Sequence, residues 1–493
     1  MKKAIYGFCA ALICAPLFLQ AQSKNVFLDR NYWSETPSIE EVKNSIEEGY
    51  DPLELNNRSF NGTTYAILNN MPTETIEFLL SLEGNDINTI THDGRNYLHW
   101  AANKDNLELV KYLVDHNINT GLVDDHGYSV LNFAATTGKQ NPEMYDYLLA
   151  HGSKITETNH DGANSLLLLI PHLKDFAMVD YFISKGLDLD SKDKDGNGAF
   201  YYAAKTGNTE MMDILIEKGV KYTNSNAMIA ASKGTRRSSN PLSVFEYLEK
   251  KGLQANVVTK EGETPLHLLA GKAKDTDVIR YFIGKGVDVN KQDKDGNTAL
   301  INAAGRNNLK VVSFIVEKSK DINASNKDGE TALTNAVKGN KGEVVSYLIS
   351  KGAEVNHKDK EGNNVGFYLI QSYRPNNKGA FNEKLELLQK NGFDPKAKQA
   401  KGNTLFHLAA EINDLNLLKA VQALGVDVNQ TNDEGTTPLQ IAAMKATDDV
   451  ILKYLIKIGA DTKVKTAFEE TVYDLANENE LLQAKGVNIT FLK

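Results

Sequence analysis

An all-α solenoid of stacked helix–turn–helix units, joined by hairpin-like fingers, is the architecture this sequence predicts. Three observations point to it. Glycines recur at Gly62, Gly94, Gly127, Gly162, Gly196, Gly262, Gly296, Gly329, Gly362, Gly402 and Gly435. Most are spaced by about 33 residues, and a fixed period of roughly 20–50 residues marks a repeat architecture. Paired alanines sit between the glycines, as at Ala230-Ala231, Ala409-Ala410 and Ala442-Ala443, and let neighbouring helices approach closely. Apolar residues then return at helical spacing, as in Val344, Val345, Tyr347, Leu348 and Ile349. A chain of 493 residues needs no single large core under this scheme, because each unit packs only on its neighbours.

The N-terminus has a different character. Lys2 and Lys3 precede an apolar run from Ala4 to Leu19, and Leu19-Gln20-Ala21 offers a small-residue cleavage site. That order of positive, apolar and small residues predicts a secretory signal peptide over 1–21. The run is shorter than the ~20 residues that span a bilayer, so no membrane insertion is expected once it is removed. Cys9 and Cys14 both lie within it. The mature chain would hold no cysteine, and its stability would come wholly from packing. Residues 22–37 read as a flexible lead. Ile39 to Asp51 reads as a half-unit that caps the stack.

The clearest unit runs Lys260-Glu261-Gly262-Glu263-Thr264-Pro265-Leu266-His267-Leu268-Leu269-Ala270, continues through Val278-Ile279-Arg280-Tyr281-Phe282-Ile283, and closes on Gly286-Val287-Asp288-Val289-Asn290. Each part has a physical role. Glu-Gly forms a tight turn with glycine free to take positive φ. Thr264 caps the first helix and Pro265 occupies a first-turn position that needs no donor. The closing glycine, as at Gly352, is a left-handed helix C-cap. The unit resembles the ankyrin repeat, and the likeness recurs at Asn403 to Ala410, Thr437 to Ala443, Gly352 to Asn356 and Gly425 to Asn429. The resemblance covers roughly residues 38–493 and implies an ankyrin-repeat solenoid of about 12 repeats plus terminal caps, the last a degenerate unit over 466–493.

Two gaps in the glycine series depart from the period. Between Gly196 and Gly262 the finger itself is missing, and a longer loop, 233–241, with Arg236 and Arg237, appears between the two helices. Between Gly362 and Gly402 a second basic loop, 371–379 with Arg374, is added. The first break divides the expected array into 38–224 and 225–465, with a bend or hinge between them. Insertions in solenoids map to loops on one face, often the binding face.

The chemistry-bearing residues argue against an active site. No phosphate loop, His-Glu-x-x-His or Gly-x-Ser-x-Gly occurs. The acidic turns Asp193-Lys194-Asp195-Gly196-Asn197 and Asp293-Lys294-Asp295-Gly296-Asn297 lack the ligand spacing of a calcium loop and read as turn formers. No cofactor or metal is expected. His99, His267 and His407 hold the histidine position of the unit, where the resemblance implies structural hydrogen bonds. His92, His126 and His160 fall on three successive turn tips beside Asp93, Asp125 and Asp161. Layers ~8–10 Å apart are too widely spaced for one zinc ion, which leaves a ladder of titratable groups along one edge.

The formal charge of −9 excludes a nucleic-acid partner, which requires a basic stripe. In ankyrin-like proteins the turn tips and exposed first-helix side form a concave recognition surface. By phase, this face comprises His92, Arg95, Asn103, Lys104, Asp125, His126, Tyr128, Thr136, Thr137, His160 and His172, with Arg95 and Tyr128 as the favoured anchor types. The expectation is an exported, monomeric, non-enzymatic scaffold for another protein, periplasmic or else secreted. A secreted effector or adhesin engaging host proteins, and a glycan- or small-molecule-binding solenoid, remain the alternatives.

Overall fold

The computed structural model describes residues 25–223, 226–235 and 238–493. The signal-peptide segment 1–21 therefore lies outside the described residues. The described residues are helical, with isolated bridges but no strand. They group into two compact units, Met1–Ala199 and Phe200–Lys493, so the break expected at 224 falls inside the second unit.

Each unit is a stack of helix pairs. In the first, the helices Gly62–Leu68, Tyr97–Asn103, Val130–Thr136 and Ser165–Leu169 pack one on the next, and the helices Thr73–Leu80, Leu107–Asp115, Pro142–Ala150 and Ala177–Ser184 follow them in sequence as the outer row. In the second, the inner row includes Ala227–Lys233, Pro265–Ala270, Ala299–Ala304, Ala332–Gly339, Val365–Gln371, Leu405–Ile412, Pro438–Lys445 and Val472–Glu478. The paired alanines of these inner helices are fully buried, as at Ala303, Ala304, Ala409 and Ala410. On the outer row only the stripe facing inward is buried, for example Val344, Val345 and Leu348.

Asparagine side chains bind the layers together. The closing Asn of one unit accepts the backbone N–H of the next: Asn290 from Lys320 at 2.8 Å, Asn323 from Glu354 at 2.9 Å, Asn429 from Asp461 at 2.8 Å. A second asparagine, just before the outer helix, donates back to carbonyls at and just beyond the end of the previous inner helix. Asn307 reaches Ala270 at 2.7 Å and Ala273 at 3.0 Å, and Asn340 reaches Ala304 and Asn307, both at 2.8 Å. Such carbonyls have no partner within their own helix.

Two expectations change. Residues 25–37 are not a flexible lead in their described part. Val26–Leu28 forms a 3-10 turn and Arg30–Ser34 a short helix, and Phe27 and Trp33 are fully buried. The indole Nε1 donates to the Phe27 carbonyl at 3.0 Å, so this segment closes the end of the stack with two large aromatics. The added residues of 371–379 are likewise not all loop. The outer helix begins at Lys378 and runs to Lys390, 13 residues against nine for Gly342–Ser350, so part of the insertion is absorbed as helix. At the other irregularity, Ala227–Lys233 follows Gly219 with no hairpin tip among the described residues, and Asn240 donates to Ala231 at 2.9 Å and Lys205 at 3.2 Å across the longer connection.

Candidate protein-binding face

The fingers are built by acid or amide side chains that accept their own turn's amides. Asp124 Oδ1 accepts from His126 at 2.9 Å and Tyr128 at 2.8 Å; Asp293 Oδ1 accepts from Asp295 at 2.9 Å and Asn297 at 2.8 Å. In the Asp293 turn the carboxylate is therefore occupied by the turn itself, as its turn-forming sequence suggested. Successive tips are then joined by single backbone hydrogen bonds. Asp125 N–H donates to Asp93 O at 2.9 Å, His160 to His126 at 3.4 Å and Lys194 to Asp161 at 2.8 Å. In the second unit Lys294 donates to Glu261 at 2.8 Å, Lys327 to Asp295 at 2.7 Å, Lys360 to Asp328 at 2.9 Å and Asp433 to Lys401 at 2.9 Å. Where the period stretches, a side chain replaces the backbone, and Asn363 Oδ1 accepts from Ala400 N–H at 2.8 Å.

This ladder gives the tip glycines a second duty. Gly329 has φ +82°, and a Cβ there would stand 2.7 Å from the Lys360 nitrogen. Only a residue without a side chain lets the next finger approach.

Below the tips, a histidine ties two layers in the units that carry one. His267 Nδ1 accepts from the Thr264 N–H at 3.1 Å, which fixes the proton on Nε2, and Nε2 donates to the Asn297 carbonyl at 3.0 Å. His407 repeats this between Thr404 at 3.0 Å and Thr436 at 2.9 Å. Gln440 stands at the same position and does the same with an amide, Oε1 accepting from Thr437 N–H at 2.8 Å and Nε2 donating to Val464 O at 3.0 Å. Burial depresses all three imidazoles, and His99, the most enclosed, is lowered to about 4.

The face expected in the first unit is only partly a surface. Arg95 is the main correction. It is 7% exposed, its Nη2 and Nε lie 2.7 and 2.8 Å from Asp124 Oδ2, and Nη1 lies 3.0 Å from Asp93. Its guanidinium sits over Phe133 at 4.2 Å and Trp100 at 5.2 Å. Arg95 thus glues two layers and presents nothing to a partner. Lys104 also turns inward, donating to Leu68 O at 2.9 Å, and burial lowers its ammonium. Thr137 bonds back to Phe133 O at 2.8 Å.

The exposed residues are His126, Asp125 and His160, with Tyr128, Asn103 and Thr136 half-buried. Asp93 lies between two imidazoles, 3.3 Å from His92 Nε2 and 3.6 Å from His126 Nε2. The histidine ladder is therefore a pair sharing one carboxylate, with His160 packed over Gly127 instead. His172 is exposed, Nε2 3.0 Å from Thr136 O. Of the loop arginines, Arg236 and Arg237 lie outside the described residues. Arg374 is exposed, but Nη1 donates to Gln371 O at 2.9 Å and Tyr373 O at 2.6 Å, covering the end of the preceding helix, Val365–Gln371.

The helix pairs, interlocked fingers and layer-bridging histidines define a helical repeat solenoid. The ankyrin repeats (three copies) profile matches residues 63–159, 166–252, 235–326, 266–359 and 375–466. The chain belongs to the ankyrin-repeat family. It is 26% identical over 184 residues to a transient receptor potential cation channel subfamily A member 1 homolog of Caenorhabditis elegans, covering 36% of this chain and 14% of that protein. It is 32% identical over 127 residues to alpha-latrocrustotoxin-Lt1a of Latrodectus tredecimguttatus, 25% of this chain and 9% of the toxin. It is 29% identical over 208 residues to an ankyrin repeat protein of fowlpox virus, 42% of this chain and 33% of the relative. The matched region thus spans a third or less of each of these relatives.

Proposed function

We propose that this chain is an exported, non-catalytic scaffold that binds another protein through the finger tips and exposed first-helix side. The observation that carries the reading is the ladder of inter-finger hydrogen bonds. A surface held in place before binding loses little conformational entropy when a partner docks, and ankyrin repeats generally serve protein–protein interaction. In the first unit the face comprises His92, Asn103, Asp125, His126, Tyr128 and His160. Arg236, Arg237 and Arg374, in the basic segments 233–241 and 371–379, are proposed as further, separate partner contacts. The scaffold acts as a monomer without cofactor, does not bind nucleic acid, and resides in the periplasm after signal removal. No helix among the described residues is long and apolar enough to cross a membrane.

The test is capture of partners from fractionated cells with the tagged chain and with an Asp125→Ala/His126→Ala/Tyr128→Ala variant. The variant is expected to lose the partner that the wild type retains in the periplasmic fraction. Equal capture by both would remove this patch from the proposal.

A further inference from the structure

The second unit carries a groove of about 900 Å³ across the ends of four successive inner helices, lined by Lys205, Lys233, Lys272 and Arg306 with Asn302 and Asn335. Three of the four cations share a register. Lys233, Lys272 and Arg306 each stand two residues beyond the alanine that ends the apolar part of their helix, Ala231, Ala270 and Ala304, and Lys205 one residue beyond Ala204. Gly271 and Gly305 occupy the positions between, and their missing side chains leave the floor open.

These charges are only partly compensated, Glu263 being the carboxylate that acts on Lys272. Among the described residues Lys205, Lys233 and Arg306 make no ion pair, and every Asp and Glu of the chain is described. Lys272 donates to the Lys233 carbonyl. The carboxylate in the lining, Glu330, already accepts from Asn326 at 3.3 Å and faces Lys338 at 3.9 Å. A helix C-terminus favours a nearby cation, which accounts for each position singly. It does not account for stacking them: burial, then the neighbouring Lys205 and Lys233, push the Lys272 ammonium down, and Glu263 offsets only part of this. In a chain of net charge −9, gathering cations in one groove opposes folding and favours an anionic occupant.

We infer that this groove receives an acidic segment of the partner protein, held extended with a carboxylate at every third residue. The spacing follows from the stack. Successive layers lie ~8–10 Å apart, and a polyproline II segment, rising ~3.1 Å per residue with three residues per turn, sets every third side chain on one face ~9 Å apart. A row of one cation per layer matches such a ligand and mismatches one with adjacent carboxylates. The inference rests on the protein-binding reading and names the chemistry of what binds.

The experiment is fluorescence anisotropy of the full chain with a labelled peptide of three Glu-Pro-Pro repeats. Competing probes are Lys-Pro-Pro repeats, a peptide of the same composition with its three glutamates adjacent, and tripolyphosphate. The Glu-Pro-Pro peptide is expected to bind in a salt-sensitive manner and at least threefold tighter than the clustered peptide. Lys233→Gln/Lys272→Gln/Arg306→Gln, all at solvent-accessible positions and checked by circular dichroism, should weaken it at least tenfold. Equal binding by wild type and triple variant, or preference for Lys-Pro-Pro, would overturn the inference. So would binding of tripolyphosphate without the peptide, which would make the groove a small-anion site. If the peptide fails while partner capture persists, only this inference falls and the scaffold reading stands.

Discussion

His267, His407 and Gln440 occupy one position with one geometry, and the comparison assigns the proton. An amide can only accept at oxygen and donate at nitrogen, so the imidazoles that replace it act as the neutral Nε2–H form. His267→Gln should therefore be nearly neutral. His267→Ala should cost about 1–3 kcal/mol, the usual penalty for leaving buried partners unsatisfied, and amide exchange around Thr264 and Asn297 should accelerate. His99 supplies a pH dependence. Its pKa falls from 6.5 to about 4 on folding, so between those values the unfolded chain binds the extra proton and stability rises with pH. On acidification, the contribution is whole above pH 6.5 and is lost progressively down to about pH 4, at ~1.4 kcal/mol per unit. Urea titrations of the wild type at pH 7 and pH 4.5 should show a loss that His99→Gln reduces.

At the scale of the finger, the tightest element is the turn glycine against the next turn. Gly329→Ala must hold φ +82° and displace Lys360. It should cost at least ~1–3 kcal/mol and expose the Lys360 amide to exchange, whereas Gly352→Ala, with open space around it, should cost only the backbone strain. Sequence alone indicated that these glycines turn the chain, because positive φ is a local property. Their second role depends on a neighbour a full unit away and could not be read from the period. The same distance hid Arg95. Its position beside the turn glycine suggested the rim, but Asp124, Trp100 and Phe133 close over it from two layers. A basic residue beside a turn, followed one unit on by an Asp and an aromatic, is the signal that would have found it. The helix at Lys378–Lys390 was missed for another reason: Arg374-Pro375-Asn376-Asn377 reads as loop, and the helix starts only where those breakers end.

For the whole molecule, the regular stacking was legible because the repeat states its packing rule many times over, and each unit's sequence restates its caps and alanines. The irregular places state theirs once. Stability in such an array is a sum of unit terms and nearest-neighbour terms, so unfolding is not expected to be two-state. The chain carries its own test. Both tryptophans, Trp33 and Trp100, lie in Met1–Ala199, so their fluorescence reports one unit, while far-ultraviolet circular dichroism reports every helix. The two urea transitions are expected not to coincide; a single shared midpoint and slope would show that the units unfold together.

The finger ladder also bears on survival among proteases. The donors at four tips are Lys194, Lys294, Lys327 and Lys360, residues a trypsin-like enzyme seeks in exposed loops. Cleavage requires a stretch of chain to leave its place and enter the enzyme's cleft, and at each of these lysines leaving means breaking the bond to the finger before. The tips most attractive by sequence are thus tethered by their own backbone.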